Sequence, residues 1–208
     1  MSQKDIFREG EGDAWYKRNK RQIDDILNGR QTDKILDAMR TIGINPKSVL
    51  EVGCSNGYRL FMLNARYQCR CKGVDPSREA IAEGKLPQGS EVNIFTGTAD
   101  DLCFGDKEFD TVIFGFCLYL CDREDLFKIC MEADRVLKPG GRIIIYDFYS
   151  NTVYSNEYCH HEGVKSFKMD YKELFLSNPS YSLEYFKRYG DTSDEWTAVC
   201  ILRKDGGA

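Results

Sequence analysis

At 208 residues, 42% hydrophobic and 30% charged, the chain is sized for one globular domain with a substantial core. It holds no apolar run long enough to span a bilayer, and its start, Met1-Ser2-Gln3-Lys4-Asp5-Ile6-Phe7, lacks the apolar stretch of a signal peptide, which predicts a cytoplasmic protein with no membrane partner. A net charge of −4 argues against an extended nucleic-acid surface, and the nine cysteines, at spacings unlike those of zinc sites, are expected to be reduced thiols that hold no metal.

Residues 5–30 place Trp15, Tyr16, Ile23, Ile26 and Leu27 at roughly helical spacing, with Gly29 as a stop. This predicts a helix over the domain. Gly10 and Gly12 beside an aromatic pair also suit a lid in which Trp15 or Tyr16 encloses a ligand and Arg18 meets a carboxylate. A second helix is expected over 32–42, ended by Gly43 and Pro46.

The run from Val49 to Tyr58, Val-Leu-Glu-Val-Gly-Cys-Ser-Asn-Gly-Tyr, joins a buried-strand pattern to a glycine-bearing turn and a helix start. Ser55 or Asn56 is placed to cap that helix. A dinucleotide fingerprint wants G-x-G-x-x-G, and Ser55 stands where its second glycine belongs, so a pyrophosphate fits poorly. The next strand, 69–74, runs into Asp75-Pro76, and an acidic residue about 20 positions past a glycine turn is placed to accept from ribose hydroxyls. Ser77 caps a helix toward Glu83, and strands are predicted over 91–95 and 109–114, the latter ending in Phe114. Between them lies Gly97-Thr98-Ala99-Asp100-Asp101-Leu102-Cys103-Phe104. An amphipathic helix capped by Asp122 is expected to Leu137, then Lys138-Pro139-Gly140-Gly141 and a strand over 142–148. An irregular connector over 149–164, a short helix over 170–176 and two alternating strands, 182–188 and 195–203, complete the chain, with 206–208 as a frayed tail.

Glu51, Gly53, Ser55 and Gly57 resemble the first motif, E/D-x-G-x-G-x-G, of the class I S-adenosylmethionine-dependent methyltransferases. Residues 99–104 look like the family's A-[DE]-x-L-P-F loop with Cys103 in place of proline, and Leu137-Lys138-Pro139-Gly140-Gly141 resembles its L-K-P-G-G segment. The resemblance covers about half the chain, from Val49 to Phe148. It implies an α/β, Rossmann-like seven-stranded methyltransferase sheet: five parallel strands plus a C-terminal antiparallel hairpin, with helices on both faces. It implies one domain over 1–208, with a helical cap or lid at 1–45, a cofactor-binding core at 46–148 and an acceptor-side connector and hairpin at 149–208. It implies S-adenosyl-L-methionine as cofactor and S-adenosyl-L-homocysteine as product, held by Trp15, Arg18, Glu51, Gly53, Cys54, Ser55, Gly57, Asp75, Pro76 and Phe114, with Ala99 and Asp100 at the adenine edge. Phe7, Gly10-Glu11-Gly12-Asp13 and Arg18-Asn19 are further similar to small bacterial methyltransferases associated with pseudaminic acid and other surface-sugar pathways.

Methyl transfer from a sulfonium is an in-line displacement and needs a base only if the acceptor must lose a proton. Candidate bases are Tyr119, Asp147, Tyr149, His160 and His161; Lys165, Lys168 and Arg142 suit an acidic acceptor. Asn178-Pro179-Ser180-Tyr181 superficially matches the N-P-P-Y of amino-group methyltransferases, but falls far beyond the fourth strand. A small-molecule acceptor, in particular a sugar-type intermediate, is therefore expected. The alternatives are a protein or RNA methyltransferase and a non-catalytic binding module; the sequence leaves the oligomeric state open.

Overall fold

The strand expected over 48–52 is β1 (Ser48–Val52), buried at every position. Such a strand needs cover on both faces. The computed structural model describes residues 1–84, 89–192 and 196–206. Within them β2 (Arg70–Asp75), β3 (Val92–Thr96), β4 (Phe109–Gly115) and β5 (Leu137–Phe148) run parallel with β1. The connector after β5, expected to be irregular, contains a separate hairpin, β6 (Tyr154–Glu157) with β7 (Lys165–Lys168). β8 (Tyr181–Tyr189) and β9 (Thr197–Lys204) then return as an antiparallel pair, giving the order β3-β2-β1-β4-β5-β9-β8. The strand start expected at Glu195, part of the loop before it and Gly207-Ala208 lie outside the described residues.

Alternation along β1 sends Val49 to one face and Leu50 and Val52 to the other. Val49 meets Ile35 and Met39 of α3 (Lys34–Thr41) and Leu60 and Leu63 of α4 (Tyr58–Tyr67). Leu50 and Val52 meet Ile129, Ala133 and Val136 of α6 (Leu126–Val136) and Phe175 of α7 (Glu173–Leu176). Helices thus cover both faces, as the resemblance implied. Sheet order reverses between β1 and β4, and a crevice opens where their C-terminal ends diverge.

The helix expected over 5–30 is broken. It comprises α1 (Gln3–Ile6), a π-helical turn over Phe7–Glu11 with non-helical backbone at Gly10, and α2 (Gly12–Leu27). Asp122 does not cap α6, which begins at Leu126 after a 3-10 turn; its carboxylate instead accepts from the Gln3 and Lys4 amides of α1. Ser77 does cap α5 (Arg78–Glu83), its hydroxyl accepting from the Ala80 amide at 2.9 Å.

The turn after β1 is left-handed at Gly53, Ser55 and Gly57, with φ of 74°, 52° and 76°. Glycine takes this conformation freely, and serine takes it at a cost of roughly 1–2 kcal/mol. Two contacts hold the turn down: the Ser55 amide donates to Asp75 Oδ2 at 2.7 Å, and a Cβ on Gly53 would lie 2.6 Å from the Cβ of Cys117. The Ser55 hydroxyl is buried without a partner. Ser55→Gly is therefore expected to raise stability by about 1 kcal/mol, after subtracting the entropy glycine loses on folding, and so to raise the melting temperature by about 2–4 °C. An unchanged or lower melting temperature contradicts the strain.

Candidate active site

Two cavities open at the C-terminal ends of β1, β4 and β5, and Gly53 lines both. Asp75 at the end of β2 stands beside them. Its carboxylate accepts from the amides of Ser55 at 2.7 Å and Ser77 at 2.9 Å, each oxygen keeping a lone pair for a ligand hydroxyl. Burial pushes its pKa up to about 6 against those two amides.

The first cavity is lined by Val74, Pro76, Gly97, Thr98, Ala99 and Asp100 on one side and Cys117, Leu120, Cys121 and Ile129 on the other. It is an apolar slot with a carboxylate at its rim. Burial would raise the Asp100 pKa, but hydrogen bonds from Lys4 and Thr98 hold it down at about 2. Lys4 and Phe7 line the slot from the N-terminal segment.

The second cavity has aromatic walls, Trp15, Tyr58, Phe116 and Tyr146, and polar groups on Asn19, Gln22, Gln31, Thr32 and Lys34. Its floor includes Asp33 and Arg59. Arg59, 4% exposed, donates from Nε to Asp33 Oδ2 at 2.8 Å, from Nη2 to the Tyr58 hydroxyl at 2.7 Å and from Nη1 to Glu51 Oε1. Asp33 also caps α3, Oδ1 accepting from Ile35 and Leu36. Glu51 is fully buried, and its Oε2 has no partner. Burial pushes its pKa up to about 7, the Arg59 charge opposing and Asp33 and Asp75 assisting. Once Glu51 is ionised, two carboxylates around one guanidinium leave one negative charge, a trap for a cationic group. Gly115 is required there, because a Cβ would sit 2.5 Å from Arg59 Nη1 and 2.6 Å from Glu51 Oε1.

Phe116, next along, is left-handed at φ 69° without being glycine, a strain of the kind that clusters at functional sites. Its ring centroid lies 5.0 Å from Tyr119, 5.2 Å from Tyr146 and 4.9 Å from Phe148. Trp15 Nε1 donates to the Tyr119 hydroxyl at 3.0 Å, tying α2 to this turn.

The other expected site residues are placed as follows. Cys54 and Phe114 point into the core, each 1% exposed, so that they can offer a ligand main chain only. Arg18 lines neither cavity; it pairs with Glu11 and donates to the Tyr158 hydroxyl at 2.9 Å. Asp147, 1% exposed, accepts from the amides of Phe148, Leu118 and Tyr119, and burial pushes its pKa up to about 7. The Tyr119 pKa is raised by burial, the bond from Trp15 opposing. His160 and His161 are exposed and line neither cavity: His160 stacks edge-on against Tyr158, and His161 bonds the Glu162 carbonyl. Sequence reasoning missed Asp33, Arg59, Phe116 and Lys4. The N-cap position of Asp33 is legible, but an arginine in an amphipathic helix reads as a solvated one.

Residues 49–141 match the profile of the methyltransferase domain family. The demethylmenaquinone methyltransferase of Bacillus licheniformis is 31% identical over 135 residues, which are 62% of this chain and 57% of that protein. The tRNA U34 carboxymethyltransferase of Campylobacter curvus is 30% identical over 117 residues, 52% of this chain and 37% of that protein, so the chain spans about half or less of these relatives. In three dimensions the chain is similar to the 1,6-didemethyltoxoflavin-N1-methyltransferase of Burkholderia thailandensis, a structure with bound 1,6-didemethyltoxoflavin and S-adenosylhomocysteine. Its TM-score is 0.67 at 19% identity, over 94% of this chain and 90% of that one. The family match thus falls on the segment from β1 into β5 that carries the glycine turn, and the solved structure shares the fold.

Proposed function

We propose that the chain binds S-adenosylmethionine across the two cavities and directs its methyl group to a small molecule. The observation that carries this reading is a pair of orphaned buried atoms two residues to either side of Gly53: Ser55 Oγ, in the lining of the second cavity, and Glu51 Oε2, on the carboxylate bonded to Arg59 of its floor. Unpartnered polar atoms at such burial cost about 1–3 kcal/mol each, which a zwitterionic amino-acid end of a ligand recovers. The cofactor's sulfonium supplies an electrophilic methyl group when bound.

Asp75 accepts from the ribose hydroxyls, while Ala99 and Asp100 meet the adenine edge across the apolar slot. Glu51, steadied by Arg59, neutralises an α-ammonium, and Ser55 donates to the adjoining carboxylate. Trp15, Phe116 and Tyr146 hold the acceptor and keep water out, so that its lone pair approaches in line at about 3 to 3.5 Å. Asp147 is committed to three main-chain amides, Glu51 is fully buried beside Arg59, and the histidines line neither cavity. Positioning therefore carries the reaction. The finer reading, a sugar or surface-carbohydrate acceptor, is supported by aromatic faces beside the side-chain amides of Asn19, Gln22 and Gln31, a combination that suits a hydroxyl-bearing ring. Product analysis with methyl-labelled cofactor against sugar nucleotides, small amines, peptides and tRNA tests the acceptor class; label appearing in tRNA or peptide alone refutes the small-molecule reading.

Two measurements test the cofactor side. Asp75→Ala, in a variant that still melts cooperatively, is expected to weaken S-adenosylhomocysteine binding by about 1.5–3 kcal/mol in calorimetry. Wild-type affinity in that variant removes the ribose assignment.

The pH dependence has a definite sign. Between roughly pH 4 and 7 the folded apo chain keeps protons on Glu51, Asp75 and Asp147 that the unfolded chain has released, so their contribution to stability falls as pH rises through this window. Ligand binding needs Glu51 and Asp75 ionised. Affinity for S-adenosylhomocysteine is expected to fall about tenfold or more from pH 8 to pH 6, and Glu51→Gln to flatten the upper part of that profile. A flat wild-type profile rules out both carboxylates as ligand groups.

A further inference from the structure

Asp100, which the proposed reading assigns to the adenine amine, is already engaged. Lys4 Nζ lies 2.6 Å from Asp100 Oδ2 and 2.9 Å from Asp125 Oδ2, and hydrogen bonds to these two carboxylates raise its pKa. Asp100 is 5% exposed, so its contacts are those the cavity rim allows. Lys128 approaches the same Oδ2 at 3.4 Å, and Thr98 bonds the carboxylate as well. An adenine amine entering this rim meets a carboxylate whose Oδ2 is already held by two lysines.

The lysine is delivered by a built segment. Ser2 and Asp5 cap α1 reciprocally, and Asp122 accepts from the amides of Gln3 and Lys4, both at 2.9 Å. The Gln3 side chain, itself buried, donates to the carbonyls of Leu120 at 2.8 Å and Lys165 at 3.2 Å and accepts from the Lys165 amide at 2.6 Å. One short helix thus spans the adenine slot, the turn after β4 and the β6–β7 hairpin. Gly10 breaks the helical path behind it, so that residues 2–9 are able to move without carrying α2 along.

We propose that α1 is an intramolecular latch on the cofactor site: Lys4 holds the Asp100 carboxylate in the empty protein, and the adenine amine displaces it. The inference rests on the cofactor reading above. A ligand that binds only the unlatched state sees its affinity lowered by the fraction of molecules latched. Loosening the latch raises affinity without adding a contact. Release also removes the Gln3 grip on Lys165, so cofactor binding loosens the hairpin beside the acceptor end and favours cofactor before acceptor.

The test is calorimetry and stopped-flow binding of S-adenosylhomocysteine to the full chain, to Lys4→Met and to Gln3→Ala, the last of which loosens α1 without touching the cavity. Both variants are expected to bind about three- to tenfold tighter, through a faster association rate, and hydrogen exchange at Gln3 and Lys4 in the wild type should speed up on saturation. Equal or weaker binding by both variants, or slower exchange of α1 on saturation, overturns the latch and makes Lys4 a spectator or a fixed roof. Binding by the variants but not by the wild type supports it in its strongest form. No binding by any of the three overturns the cofactor reading itself, and the latch with it.

Discussion

A guanidinium buried at Arg59 constrains everything around it. Left unpaired it would cost several kcal/mol, so the chain sets a carboxylate on each side: Glu51 from β1, and Asp33 from the start of α3. The consequence is architectural as well as electrostatic. Asp33 spends one oxygen on Arg59 and the other on the first amides of α3, which pins the helix before β1 to the helix after it. Gly115 must then lack a side chain, and the β4 end can approach closely enough for Phe116 and Cys117 to close over Gly53. Asp33 and Arg59 line the second cavity together with Ser55, whose hydroxyl is unpartnered, and contribute to its polarity.

Much of the fold was legible because burial and turns leave strong marks. Val49–Val52 reads as a two-sided buried strand and Ser77 as a cap, whereas the Pro139-Gly140-Gly141 run, expected to precede a strand at 142, lies within β5, which begins at Leu137. The parallel order follows from strands separated by helix-length segments. What escaped was set by contacts remote in sequence. Asp122 precedes an amphipathic helix and reads as its cap, yet the amides it serves belong to α1, well over a hundred residues away. The β6–β7 hairpin escaped for another reason: Tyr154–Glu157 is mostly exposed, so no apolar alternation announces a strand. The break at Gly10 lay in plain sight, but a helical stripe on either side masked it.

The candidate site divides along the same line. Residues whose place is set by the strand-turn-helix unit, Gly53, Ser55, Gly57 and Asp75, are located by spacing, since the turn dictates where they must be. Side chains that act by reaching are not. Arg18 was expected at a carboxylate of the ligand, but Glu11 lies within reach on the same helical segment and the Tyr158 hydroxyl closes from the hairpin, so the charge is satisfied before any ligand arrives. His160 and His161 had the right chemistry for a base, but both are exposed in the seven-residue loop between β6 and β7.

Asp147 shows why a carboxylate at the end of β5 need not be a base. It accepts three main-chain amides, two of them from Leu118 and Tyr119 in the turn that follows β4. Those bonds hold the segment in which Phe116 sits at a left-handed φ and Cys117 covers Gly53. Asp147 thus serves geometry, its carboxyl oxygens fixing this strained turn through three main-chain amides. The same holds for Glu51 and Asp33 around Arg59. Buried carboxyls in this crevice hold backbone turns and a helix start in place around Gly53, which is what the proposed methyl transfer, with its alignment of a lone pair and a methyl carbon, demands of its protein.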